Sequence, residues 1–156
     1  MVIRMDLIRP ARPGDASRLA EILIFTKRVH YRPIFQNDAV SFGEMQVYPL
    51  ARDYLDHPEK LSGVWVYDNG IVKGLVHVSG PELQELYVEP FFQGQGVGGA
   101  LLQFAADKQG ANRLWVLEKN EAAVRFYQKH GFHPTGERRL EPGTPEFLLR
   151  LARQGD

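Results

Sequence analysis

The sequence predicts a mixed α/β fold: a mostly antiparallel sheet of about 6–7 strands, with helices joining parts of it and one central βαβ crossover. Three observations carry this. The β-rich runs Val64–Tyr67, Ile71–Val78 and Leu83–Val88 follow one another with only tight turns between them, which permits only antiparallel pairing. Leu83–Val88 is then separated from Arg113–Leu117 by a helical stretch, the kind of connection a parallel pair needs. A last pair of runs, Thr135–Leu140 and Glu146–Leu151, flanks Pro142-Gly143 and reads as a hairpin.

Each element has its own signal. Met5–Arg9 alternates loosely as a short strand, and Pro10 and Pro13-Gly14 end it. Asp15 is placed as the N-cap of a helix whose apolar face is Ala16, Leu19, Ala20, Leu23 and Ile24. That face dissolves in Lys27–Phe35, where Pro33 reads as a stop, and a weaker helical pattern covers Glu44–Leu55. Asp68-Asn69-Gly70 is a hairpin turn, and Gly74 marks a bulge or a close backbone contact. The third helix carries Leu101, Leu102, Phe104 and Ala105 and ends at Gly110, where a C-cap glycine belongs. Asn120 caps a fourth helix, with Ala123, Phe126 and Tyr127 on its apolar face and Gly131 at its end.

Composition narrows the function classes. The chain has 156 residues, read as one domain over 1–156, and 44% of them are apolar. Basic and acidic side chains balance at 19 each, so no basic stripe points to nucleic acid. With no cysteine, neither a disulfide nor a thiolate site or nucleophile is available, and the five histidines lack metal-ligand spacing, so no metal is expected. No long apolar run or leader pattern appears, so the expectation is a cytoplasmic protein without a membrane partner.

The chemistry concentrates in Leu86–Gln109. A strand ends at Glu89-Pro90, Gln93-Gly94-Gln95-Gly96-Val97-Gly98 follows, and a helix starts almost inside the glycines. The first N–H groups of that helix lack internal partners and carry the positive end of its dipole, and glycine lets a ligand approach them. The loop reads as a phosphate or pyrophosphate cradle. Gly94–Gly99 also satisfies the dinucleotide pattern GxGxxG, with Glu118 at a later strand end. Against it stand the intervening Glu89–Gln93, the antiparallel hairpins before the loop, and too little chain after it for a doubly wound sheet. No Gly-Lys-Ser/Thr is present for a Walker loop.

Gln93-x-x-Gly96-x-Gly98 after the Leu86-Tyr87-Val88 strand, together with the segment Asn120–Phe132 (NEAAVRFYQKHGF), resembles the GCN5-related N-acetyltransferase (GNAT) family. The resemblance covers nearly the whole chain. It implies the GNAT fold, with strands splayed at the cofactor site, and binding of acetyl-coenzyme A. Backbone N–H groups of Gln93, Gly94, Gln95, Gly96, Val97 and Gly98 would hold the pyrophosphate. Leu86, Tyr87 and Val88 would pair with the pantetheine arm, which Asn120, Ala123, Phe126 and Tyr127 would flank. The Val88 N–H would stabilise the oxyanion, and Tyr127 would be the general acid at the departing sulfur.

The same resemblance places a protein-borne base at Gln84 or Glu82, on the face shared with Leu86. Gln84 is no base, so Glu82 is the candidate and His77 the second; Glu85 is expected to face the other way. The acceptor would meet Lys27–Phe35, including Tyr31, Arg32 and Phe35, and Arg138–Pro145. The expected activity is direct acetyl transfer to the primary amine of a small molecule or peptide. The competing class is an acyl-coenzyme A binding module that has lost its chemistry. The strand Phe147–Leu151 is expected at an exposed edge, where it would allow a homodimer.

Overall fold

The computed structural model describes residues 4–35 and 47–153, with side chains described over 4–26 and 49–153. The elements in chain order are β1 (Ile8–Pro10), α1 (Ala16–Phe35), α2 (Val47–Asp56), β2 (Val64–Asp68), β3 (Val72–Ser79) and β4 (Glu82–Val88). They continue with α3 (Val97–Gln109), β5 (Arg113–Leu117), α4 (Glu121–Lys129), β6 (Phe132–Leu140) and β7 (Phe147–Arg153). The strands form one seven-stranded sheet in the order β1-β2-β3-β4-β5-β7-β6. Every pairing is antiparallel except β4 with β5, which α3 connects. The predicted fold class is therefore the observed one.

The sheet divides two apolar layers. On one face, Leu19, Ile22 and Leu23 of α1 pack with Val64, Val66 and Leu75, and Leu50 and Tyr54 of α2 join them. On the other, Val97, Leu101, Leu102 and Ala105 of α3 pack with Val76, Leu83, Leu114, Val116 and Leu151, flanked by Ala123, Phe126 and Tyr127 of α4. Complete burial of a side chain such as Leu19, Ile22 or Leu101 stabilises the fold by roughly 2–3 kcal/mol each. Gly74 explains how closely α3 approaches. A Cβ there would lie 2.9 Å from the Tyr87 carbonyl oxygen and 3.0 Å from Leu101 Cδ1. The predicted close contact at Gly74 is thus present.

Four local expectations are corrected. Met5–Leu7 is a turn of 3-10 helix, and the strand starts at Ile8, later than alternation suggested. Asp15 does not cap α1. Its carboxylate turns back to accept from both ends of the Arg9 guanidinium and from the Arg12 N–H, because an ion pair with a half-buried arginine outweighs one cap bond. Helix α1 passes through Pro33 to Phe35, so Pro33 is not the stop the sequence suggested. Strand β7 is not an edge. It lies between β5 and β6, and the edge on that side of the sheet is β6, so the predicted edge pairing through Phe147–Leu151 has no open strand to use. The stretch 36–46, with part of the predicted second helix, lies outside the described residues.

Candidate active site

Strands β4 and β5 pair only through Glu82↔Arg113 and Leu83↔Leu114. Beyond those two rungs they separate, which leaves the cleft-facing backbone of β4 without a strand partner. Glu82 holds the closed end: it accepts from Arg113 at 2.9 Å and from both terminal nitrogens of Arg150. From there a cleft of about 1000 Å³ widens between the strands, reaching the glycine loop and α4.

Strand β4 changes phase inside this site. His77 is opposite Glu85 while Val78 is opposite Leu83, so Gln84 is an extra, bulged residue. Leu83, Leu86 and Val88 consequently pack on the α3–α4 face and Tyr87 on the α1–α2 face. Glu82 and Glu85 both lie on the α1–α2 side: Glu82 meets Arg150 and Arg113, and Glu85 meets His77, whose strand neighbours Val76 and Val78 face the other way. The expectation that Glu82 shares the face of Leu86 is corrected, and the cause is the single extra residue at the bulge.

The end of β4 is shaped for an arm lying along the opened strand. The Glu89 N–H donates to the Lys73 carbonyl of β3 at 2.9 Å, so the adjoining peptide groups of Val88 turn the opposite way, into the cleft. The Val88 carbonyl accepts from Gln93 Nε2 at 3.1 Å and from Thr26 Oγ1 at 3.4 Å, which fixes the strand end. Gln93 was expected to act through its backbone; its N–H closes the turn on Pro90 at 3.4 Å, and its side chain is a brace.

Gly94 and Gly96 have φ of 82° and 84°, a left-handed backbone that a Cβ disfavours. Gly96 precedes α3, whose first internal bond is Ala100 N–H to the Gly96 carbonyl. The N–H groups of Val97, Gly98 and Gly99 therefore have no partner within the helix. Val97 is buried and Gln95 exposed. The donors and the helix dipole fit a pyrophosphate.

Helix α4 forms the far wall. Asn120 Oδ1 caps the helix through the Ala123 N–H at 3.3 Å, and Asn120, Ala123, Phe126 and Tyr127 all line the cleft. The Tyr127 ring is half-buried against Phe126 and Phe132, at centroid distances of 5.4 and 6.3 Å. His130, which sequence reasoning passed over, also lines the cleft. Its Nδ1 donates to the Phe126 carbonyl at 2.9 Å, and its Nε2 would lie 3.3 Å from a Cβ at Gly99.

On the α1–α2 side the cleft meets Glu85, Tyr87, Trp115, Arg139 and Glu141. The Arg139 guanidinium lies 4.2 Å over Trp115, and Tyr54 is pushed up to about 12 by burial and by the charge of Glu85. The side chains of Lys27–Phe35, including Tyr31, Arg32 and Phe35, lie outside those described.

A sheet split in this way holds an extended arm whose phosphates rest at a helix start and whose reactive end reaches the middle of the sheet. That is the architecture of a transferase that draws its acyl group from coenzyme A. Residues 60–134 match the acetyltransferase (GNAT) domain. The chain is 36% identical over 107 residues to peptidyl-lysine N-acetyltransferase YjaB of Escherichia coli, covering 68% of this chain and 71% of that one. It is 30% identical over 145 residues to YjaB of Salmonella typhimurium, covering 92% and 95%. The fold also matches the structure of yncA from Salmonella typhimurium with its cofactor acetyl-CoA, at TM-score 0.66, 23% identity and coverage of 96% and 93%. The chain belongs to the GNAT family and is an acetyl-CoA-dependent N-acetyltransferase. Among the described residues, no helix is long and apolar enough to cross a membrane.

Proposed function

We propose that the protein acetylates the ε-amine of lysine in a peptide or protein, by direct transfer from acetyl-coenzyme A, and that it does so in the cytoplasm. The observation that carries acetyl transfer is the orientation of Val88, whose peptide group faces the cleft at the point where β4 has lost its partner strand. A backbone N–H there is a fixed donor for the oxyanion that forms when an amine adds to the thioester carbonyl. The name shared by the two YjaB relatives supports a lysine acceptor. So do the carboxylates Glu85 and Glu141 among the residues lining the cleft, which favour an approaching ammonium.

The residues divide the work by position. The α3 start and Gly94–Gly98 hold the pyrophosphate, and the freed edge Leu86–Val88 pairs with the arm. Asn120 offers its side-chain amide to the arm while its oxygen stays on the helix cap. Tyr127, on the α4 wall, donates to the sulfur as it departs. The test is calorimetry with acetyl-coenzyme A and with NADH, followed by thiol release with N-α-blocked lysine peptides. Binding of acetyl-coenzyme A alone, with thiol release, is expected. Binding without thiol release from any amine would leave only an acyl-coenzyme A binding module.

A further inference from the structure

We propose that Arg139, laid over Trp115 on the wall of the cleft, binds a carboxylate carried by the acceptor, so that the protein selects lysines with an acidic group close by. This rests on the acetyl-transfer reading above and adds a selectivity to it.

The sheet register places the pair. Trp115 stands opposite Arg150, and Leu117, Leu148 and Arg139 form the next row across β5, β7 and β6. Residues opposite one another, and residues alternating along a strand, share a face, so all of these stand on one face of the sheet. Leu114, Val116 and Leu151 point the other way, into the core beneath α3. Arg139 is rooted on β6, with β7 between it and β5, yet its guanidinium reaches back to lie 4.2 Å over the Trp115 ring. That reach carries a positive charge from the rim of the sheet to the cleft, which Trp115 and Arg139 both line.

The neighbouring arginines are engaged and Arg139 is not. Arg138, on the opposite face of β6, donates twice to Glu118 at 3.0 Å. Arg150 is held by Glu82, a carboxylate that Arg113 shares. Among the described residues Arg139 has no carboxylate partner, although Glu141 is the next residue on its own side of the strand. Stacking occupies the flat face of a guanidinium, whereas its N–H donors point outward in the plane, so their edge stays open. The ring also restricts the side chain, which leaves less rotamer freedom to lose on binding. A planar fork held in this way matches a carboxylate through two parallel hydrogen bonds.

Charge on the cleft walls points to the acceptor as the source of that carboxylate. The glycine loop, Asn120 and Tyr127 serve the cofactor, and the other basic groups lining the cleft, Lys129 and His130, sit at the end of α4 on that same wall. On the Arg139 side the lining groups include Glu85 and Glu141, which attract the acceptor ammonium. A lone ammonium is repelled by a cation placed there. An acceptor that carries a carboxylate as well satisfies both signs. The carboxylate is either an acidic side chain beside the lysine or the acceptor's own terminal group, and Arg139 reads the two by the same chemistry.

The experiment compares thiol release by wild type, Arg139→Gln, Arg139→Lys and Arg125→Gln. The acceptors are N-α-blocked, C-amidated lysine peptides carrying Glu or Gln beside the lysine, and N-α-blocked lysine with a free or an amidated carboxyl group. Wild type is expected to prefer the carboxylate-bearing acceptor about tenfold in kcat/KM, the scale of a charge-assisted hydrogen bond that water still reaches. A preference among the peptides assigns the flanking side chain, and one between the single lysines assigns the terminal carboxylate. Arg139→Gln is expected to abolish the preference, and Arg139→Lys to keep part of it, because the charge remains without the fork. Arg125→Gln, which alters an exposed arginine paired with Glu121 outside the cleft, is expected to retain it in full. Affinity for acetyl-coenzyme A by calorimetry is expected to stay within about twofold in every variant, which also shows that the cleft is folded. Absence of a preference in both wild-type comparisons, or a preference that survives Arg139→Gln, would overturn the proposal. A wild type that releases no thiol with any of these acceptors or with polyamines would instead defeat the acetyl-transfer reading, and this proposal with it.

Discussion

Arg150 grips Glu82 across the sheet, donating from both terminal nitrogens to the two carboxylate oxygens, with its guanidinium 4.9 Å over the Trp115 ring. The pair spans β4 and β7 with β5 between them, at the last rungs before β4 and β5 part. It ties together the place where the sheet begins to open.

Loss of this clamp is a stability effect. The Arg150 side chain is 10% exposed and that of Glu82 is 24% exposed, so the charges are partly withdrawn from water. Arg150→Met leaves Glu82 with Arg113 alone, and the expected cost is about 2 kcal/mol, allowing for the part of Glu82 that water still reaches. At roughly 2–4 °C per kcal/mol for a domain of this size, Tm falls by about 4–8 °C. Thermal melts of the two single variants and of Arg150→Met with Glu82→Gln check it: additive shifts would show that the two residues are not coupled.

The cradle can be separated from ordinary glycine strain, because α3 has a left-handed glycine at each end. Gly96 before its start has φ 84° and Gly110 at its C-cap has φ 75°. Alanine at either position costs about 1 kcal/mol of stability, since only glycine adopts this backbone without penalty. Gly96→Ala is expected to weaken acetyl-coenzyme A at least tenfold as well, and Gly110→Ala to leave affinity unchanged. Calorimetry on both variants decides it, and equal affinities would take the pyrophosphate away from this loop.

Tyr54 sets an alkaline limit. Burial, then the charge of Glu85, pushes its hydroxyl from 10.0 up to about 12. Between those values the unfolded chain releases the proton and the folded protein keeps it, so stability falls as pH rises through the window from 10 to 12. The contribution is fully present below pH 10. Tyr54→Phe should flatten this part of the stability profile. Denaturant midpoints at three pH values across the window measure it, and an identical slope in the variant would assign the loss to another group.

Sequence reading reached the fold because its signals were local and repeated. Hairpin turns joined β2, β3 and β4, a capping asparagine stood at Asn120, and glycines stood at both ends of α3. The two motifs that mark the cradle and α4 likewise placed the cleft-lining residues near one another. What it missed depended on partners distant in the chain. Period-two alternation assigns Glu82 and Leu86 to one face, and nothing in Leu83-Gln84-Glu85 announces the extra residue that separates them. Glu85 was rightly expected on the face away from Leu86, and the bulge puts Glu82 on that face as well. Asp15 carries every mark of an N-cap, but Arg9 claims its carboxylate. The burial of β7 between β5 and β6 depends on pairings that no stretch of β7 encodes alone.

Tyr127 decides whether the α4 wall takes part in chemistry or only closes the cleft. Its ring packs against Phe126 and Phe132, which a phenylalanine would reproduce, so Tyr127→Phe removes the hydroxyl and little else. A phenol near ~10 and a thiol near ~8.5 make full proton transfer uphill by about 2 kcal/mol, so the hydroxyl acts as a donor that strengthens as negative charge builds on sulfur. An interaction made chiefly in the transition state appears in kcat rather than in binding. The expected result is a kcat at least tenfold lower, with acetyl-coenzyme A affinity little changed by calorimetry. If kcat is unchanged, Tyr127 is a packing residue and the sulfur is protonated from another source. If affinity falls in step with kcat, the hydroxyl serves binding and not departure.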